Sequence, residues 1–276
     1  MSTMLANKKD WYTAPDGTLD VDFIRAHENT EPLGRIHTPI SSALILGKFR
    51  EKAKTLGMQL VDEQAALHKE GRRFMYTATV ASETRFGADG KPEYTLEVGF
   101  RNFSDKSLAF SGMCASRVFV CENGMCTGIV IPSKMRHTSG NVGNSYLIDG
   151  KIDAIFSRFV EDKDAMHDQI TCMKTTPLTD SILGTFVKGL VGNPYLGAAN
   201  TMRIIEDVVK PELNAPNDSS VFRLSNAASK VTSHILKNPN HAAMASRFCN
   251  NLIMGIIKPG FKPLGDAIDV EVSEVA

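Results

Sequence analysis

No run of about 18 uncharged apolar residues occurs in the 276-residue chain, so the sequence gives no expectation of a membrane-spanning helix. The start, MSTMLANKKDWY, lacks the apolar stretch of a secretory leader. Five cysteines (Cys114, Cys121, Cys126, Cys172 and Cys249) make an odd set without the paired Cys-x-x-Cys spacing of a structural zinc site. The expectation is a cytoplasmic protein in a reducing compartment, with no metal and no cofactor. Net charge is also missing. Lys and Arg total 31, and so do Asp and Glu, so any attraction to a polyanion has to come from local segregation of charge. One such run spans residues 208–263, with seven basic and two acidic residues, and the acidic tail after it offsets the excess. A solvated helix face is the simplest account of that run. Gly-x-Ser-x-Gly, Walker, Gly-x-Gly-x-x-Gly and His-Glu-x-x-His patterns are all absent, which removes support for dedicated acyl, nucleotide or zinc-hydrolase chemistry.

What the chain does have is a change of period. Residues 1–36 show little periodicity beyond a short helix near 20–28, and read as an arm that packs through Trp11 and Phe23. Residues 38–56 carry a helical pattern, with Thr38 as N-cap, Pro39 in the first turn and Gly57 as the stop. From Met58 the period is two. A hairpin turns at Lys69-Glu70-Gly71, and a second turn cluster lies at 87–92. A strand then places Tyr94, Leu96, Val98 and Phe100 on one face and Arg101 on the other. A last hairpin runs from Arg117 to Ile131 around Asn123-Gly124, a type I′ signature that also opposes Cys121 and Cys126. Beyond Asp149-Gly150 the pattern is helical throughout, including a long helix with Ile152, Ile155, Phe159, Met166, Ile170 and Met173 and a cap-plus-proline start at Thr176-Pro177. The class is α+β: an N-terminal helix and antiparallel β-meander, then a mostly helical C-terminal half. Residues 37–276 form a single body, sheet-rich over 37–148 and helical over 149–276.

The polar groups of the sheet give the candidate site. Arg101, Asn102, Lys106, Arg117, Lys134, Arg136 and His137 lie in strands or their rims, interleaved with Phe100, Phe103, Phe110 and Phe119. Guanidinium forks beside aromatic faces suit phosphates and stacked bases. The competing account makes the aromatics core and the cations edge cover. Asp105 suits either an acid–base role or an Asx-turn, and His137 either a catalytic role or a local hydrogen bond.

The segments Phe100-Arg101-Asn102-Phe103-Ser104-Asp105-Lys106-Ser107, Ser116-Arg117-Val118-Phe119-Val120-Cys121-Glu122-Asn123, Arg136-His137-Thr138 and Phe222-Arg223-Leu224-Ser225-Asn226-Ala227 together resemble the phage/plasmid-like family known as domain of unknown function 932. The resemblance covers residues 36–237, most of the chain, and departs at Phe103, where the family tends to have Ser. It implies a mobile-element protein, carries over no catalytic residue, and by fold analogy is similar to phage single-strand annealing proteins. The first expectation is a nonenzymatic protein of a phage or plasmid that binds single-stranded nucleic acid, single-stranded DNA above all, in recombination or replication. It would act as a ring or filament of copies. A protein-binding inhibitor of a host anti-phage defence system, whose partner is a host protein, stands second. An enzyme of unknown substrate, with a site around Asp105, Arg136 and His137, stands third. A structural phage component comes last.

Overall fold

The computed structural model describes residues 11–12, 21–87, 90, 92–107, 109–118, 129–138, 145–191, 193, 195–210, 219–234 and 239–261. Among these residues, seven strands form one antiparallel sheet: β1 (Trp11–Tyr12), β2 (Leu60–His68), β3 (Arg73–Val80), β4 (Arg85–Phe86), β5 (Pro92–Phe103), β6 (Phe110–Val118) and β7 (Ile129–Met135). Neighbours follow the order β1-β2-β3-β5-β6-β7, with β4 paired to β5. The helices are α1 (Val21–His27), α2 (Ser42–Thr55), α3 (Ser145–Thr175), α4 (Asp180–Leu190), α5 (Gly197–Val209), α6 (Phe222–His234) and α7 (Pro239–Ile257). The α+β class read from the periods is the observed one. Among the described residues, no helix is long and apolar enough to cross a membrane.

The period of two in β5 organises the sheet. Tyr94, Leu96, Val98 and Phe100 all face the main core, and Phe100 sits within 5.3 to 5.8 Å, ring centre to ring centre, of Phe49, Phe74, Tyr76 and Phe110. Helix α2 supplies Phe49 to this cluster, and α3 supplies Phe156, 4.6 Å from Phe49. Helix α3 also touches β5, β6 and β7 and reaches α6 and α7, so it is the axle between sheet and helical half. Its expected inward residues, Ile152, Ile155, Phe159, Met166, Ile170 and Met173, are all buried. The strand approaches so closely that a Cβ on Gly112 of β6 would lie 2.2 Å from Ile155 Cγ1. Glycine is the side chain that fits there.

Four expectations change. The face of β5 expected to be polar and open is buried as well: Thr95, Glu97 and Arg101 are all below one-tenth exposed, and Met75, Phe103 and Met113 form a small apolar cluster. Helix α2 starts at Ser41 rather than Thr38, because residues 37–40 are held extended by bonds to the chain after β7. Ser41 Oγ accepts from Leu44 N, and the Glu28 carboxylate accepts from Ser42 N at 2.5 Å and Ala43 N at 3.3 Å, so the first free N–H groups of the helix are satisfied. Helix α4 starts at N-cap Thr179, since Pro177 is taken up in a bridge to Ser220. Strands β6 and β7 pair antiparallel, but Ile129 stands opposite Cys114, four residues before Val118, the partner that the expected Asn123-Gly124 register gives it. The expected turn at Asn123-Gly124, with Phe119, Cys121 and Cys126, lies outside the described residues. The Lys69-Glu70-Gly71 turn is formed by three consecutive left-handed residues, with φ values of 50°, 55° and 80°.

Gly71 is the tightest of these points, because a Cβ there would stand 1.9 Å from His27 O, on top of the unfavourable φ. Gly71→Ala is therefore expected to destabilise the fold by about 2 to 4 kcal/mol. Denaturant unfolding should show a lower midpoint with an unchanged slope; an unchanged midpoint would mean that α1 does not rest on this turn.

Candidate functional site

Two residues beyond Phe100, the same strand face reaches the end of the helical cover, and the side chain there is Asn102. It is 1% exposed. Its Nδ2 donates to Ile40 O at 2.8 Å and to Ser42 Oγ at 2.9 Å. Ile40 N–H in turn donates to His137 Nδ1 at 3.2 Å, so Asn102 of β5 and His137, just after β7, grip the same residue. Thr38 N–H donates to His137 O, and His37 bridges to Thr138. The two imidazole rings lie 5.9 Å apart, both buried.

These hydrogen bonds fix the tautomers. Leu33 N–H donates to His37 Nδ1 at 3.0 Å, just as Ile40 N–H donates to His137 Nδ1. An Nδ1 that accepts cannot carry the proton, so in each neutral ring the hydrogen sits on Nε2. Burial, then the charges of Lys106 and Arg72, lowers the His37 pKa; burial, then His37, lowers that of His137 to about 4, against a smaller opposing pull from Asp105. Both rings are neutral at pH 7. Both Nε2 atoms and Asn102 Oδ1 are buried without a hydrogen-bond partner. The sequence signalled His137 but gave no sign of His37, which lies 100 positions earlier and reaches the site only through the arm.

Cations on two turns, 69–73 and 104–107, stand at this end of the sheet. Lys106 Nζ donates to Leu33 O at 2.7 Å, and Arg72 Nη1 donates to Glu31 O at 2.9 Å. Arg73 Nε meets Asp105 Oδ2 at 2.6 Å, with its guanidinium 5.3 Å from the Phe103 ring centre, and Lys69 stands 3.6 Å from the same carboxylate. Asp105 Oδ1 accepts from Ser107 N at 3.0 Å and so closes an Asx-turn. Burial tends to raise the Asp105 pKa, but the bonds from Ser107 and Arg73 outweigh it and hold the carboxyl below its usual range. An ionised, turn-closing carboxylate is a poor general acid.

Six of the seven expected site residues gather at this end of the sheet. Arg101 is buried, and its Nε donates to Ser111 Oγ at 2.9 Å. Asn102 and His137 are buried as described, while Lys106 and Arg136 are exposed. Lys134 immediately precedes Met135, which pairs with Phe110 at this end. Arg117 stands apart: it pairs with Thr95, six residues along β6 from Ser111, a separation of about 20 Å. Phe100, Phe103 and Phe110 belong to the core, so none of them offers a face to a base.

No protein-family model, no curated protein and no solved structure matches this chain. Any assignment therefore rests on the residues themselves.

A second polar cluster, which sequence reasoning missed, lies under the far end of β5. Tyr94 OH donates to His167 Nδ1 at 3.1 Å, and His167 Nε2 donates to Glu83 Oε2 at 3.0 Å. Lys163 and Ser82 complete the Glu83 carboxylate at 3.2 Å each. Burial raises the Tyr94 pKa, which makes its phenol a weaker acid. The members are satisfied by one another, and the arrangement ties the turn at Ala81–Glu83 and β5 to α3. Among the described residues, no group of three or more His, Cys, Asp or Glu is placed to hold a metal ion. Cys114 and Cys249 are buried thiols, the latter with its pKa pushed up to about 12 by burial.

The His137 titration has a consequence for stability. Its folded pKa lies below the unfolded value of about 6.5, so above pH 6.5 both states are neutral and the fold keeps its full stability. As pH falls from about 6.5 to 4 the unfolded chain gains the proton first, and this residue alone removes up to about 3 kcal/mol. Unfolding free energies measured across that window should decline, and the decline should be shallower in His137→Asn. Parallel curves for the two proteins would place the titration elsewhere.

Proposed function

We propose that this protein binds single-stranded nucleic acid without catalysis, at the end of the sheet where the turns carrying residues 28–37, 69–73 and 104–107 meet the chain after β7. The observation that carries the reading is how the cations there are used. Lys106 and Arg72 donate to main-chain carbonyls, which satisfies their geometry; among the described residues the ion pair formed by either is Arg72 with Glu31, 3.7 Å away and mostly exposed. With Arg35, Lys69, Arg73 and Arg136 against Glu28, Glu31, Glu70 and Asp105, the region holds an excess of two positive charges in a chain whose total is zero. A phosphate offers a charged acceptor in place of a neutral one and makes the stronger bond. Phosphate contacts supply most of the affinity of such proteins, and they need no metal and no nucleophile. The resemblance noted above supports a setting in phage or plasmid recombination or replication, and a ring or filament of copies would extend the contact along the strand.

Arg136 and Lys106 are exposed cations of this end. Single-stranded oligonucleotides should bind with an affinity that falls with salt at a log–log slope of about −0.7 per phosphate neutralised. Arg136→Ala and Lys106→Ala should each make the slope shallower by about 0.7 and weaken binding similarly for oligonucleotides of different sequence. Fluorescence anisotropy across a salt series measures both. Absence of binding at low salt would remove this reading and bring forward the inhibitor of a host defence protein, for which a host-protein pull-down is the assay.

A further inference from the structure

The buried triad beneath residues 29–37 has a donor–acceptor pattern that selects its occupant. His37 and His137 each present an Nε2–H without an acceptor, and Asn102 presents Oδ1 without a donor. Two donors and one acceptor complement a hydroxyl oxygen, which accepts twice and donates once. A carbonyl or a phosphodiester oxygen leaves Asn102 unmatched, and an ammonium leaves both histidines unmatched. A metal ion is disfavoured too, because each Nδ1 already accepts a backbone N–H and the proton must stay on Nε2, the atom a metal would need free. The two rings lie 5.9 Å apart, centre to centre, and Asn102 and His137 both bond to Ile40, which keeps the three side chains together.

The cover over this triad is thin. Residues 30–36 are all exposed and carry no helix or strand. They are anchored beside the sheet by Lys106 to Leu33 O, Arg72 to Glu31 O, Ser104 Oγ to Asn29 O and Asn29 N to Gly71 O. Two of these four anchors are the cations proposed to take phosphates. A backbone phosphate that draws Lys106 and Arg72 away from their carbonyls loosens the cover and brings the adjoining sugar to the histidines. Segments fastened by a few surface hydrogen bonds open locally at low free-energy cost.

We propose that His37, His137 and Asn102 form a subsite for a ribose 2′-hydroxyl, so that the strand this protein prefers is RNA. The inference rests on the nucleic-acid reading above and narrows its substrate class. The 2′-hydroxyl is the group that distinguishes the two polymers, and a site built to pair a hydroxyl discriminates strongly against the analogue that lacks it.

The test compares single-stranded RNA, DNA, 2′-fluoro and 2′-O-methyl oligonucleotides of one sequence on the full chain. RNA should bind tenfold or more tightly than DNA, and both 2′-substituted strands should fall to the DNA level, since neither donates to Asn102. His37→Asn and His137→Asn keep an acceptor near the Nδ1 position but remove Nε2–H; each should abolish the RNA preference, bringing RNA affinity down to that of DNA on the same variant. Should the variants fail to fold, the 2′-substituted strands on the unaltered protein decide alone. Equal binding of RNA and DNA would overturn this proposal, leave the nucleic-acid reading standing, and assign the triad to a buried water. Absence of binding by either polymer would overturn both.

Discussion

Everything at the candidate site depends on the packing of Phe100. Its ring joins Phe49 of α2 to Phe74 and Tyr76 of β3 and to Phe110 of β6, and burying such a ring is among the larger single contributions to a core. Because strand side chains alternate, fixing Phe100 inward fixes Asn102 inward as well. The chain must then satisfy a buried amide where the helices no longer cover the sheet. It does so with Ile40, in the stretch 38–41 that crosses the sheet end before α2 begins, and with Ser42 in the first turn of that helix. The two histidines are consequences of the same constraint: one precedes that segment, and the other follows β7 and meets it.

This ordering separates what the sequence made legible from what it did not. The periods of two and 3.6 are local properties, and they located β2, β3, β5, α3, α6 and α7 within a few residues. The starts of α2 and α4 were misplaced for one physical reason. Thr38-Pro39 and Thr176-Pro177 both look like helix starts, yet in each case a distant segment takes the backbone first: the chain at His137 for one, and Ser219 with Ser220 for the other. Tertiary hydrogen bonds outweigh a capping preference of about 1 kcal/mol.

The site was legible in part. Asn102, Lys106, Arg136 and His137 converge because hairpin register returns the ends of β5 and β7 to the same side of the sheet. Burial was not legible. Arg101, on the buried face, donates to Ser111, and the Asn102 amide nitrogen holds Ile40. Phe103 packs with Met75 and Met113 and lies near the Arg73 guanidinium. The role of His37 depends on an arm whose path no periodicity records.

The central claim is that the polymer meets the sheet end rather than the helical half, whose basic run between residues 208 and 263 is the obvious competitor. Photo-crosslinking of a bromouridine-substituted single strand, with the attached peptides mapped by mass spectrometry, tests it directly. Crosslinks should fall in residues 28–37, 69–73, 104–107 and 136–138. Crosslinks confined to α5, α6 and α7 would contradict the account.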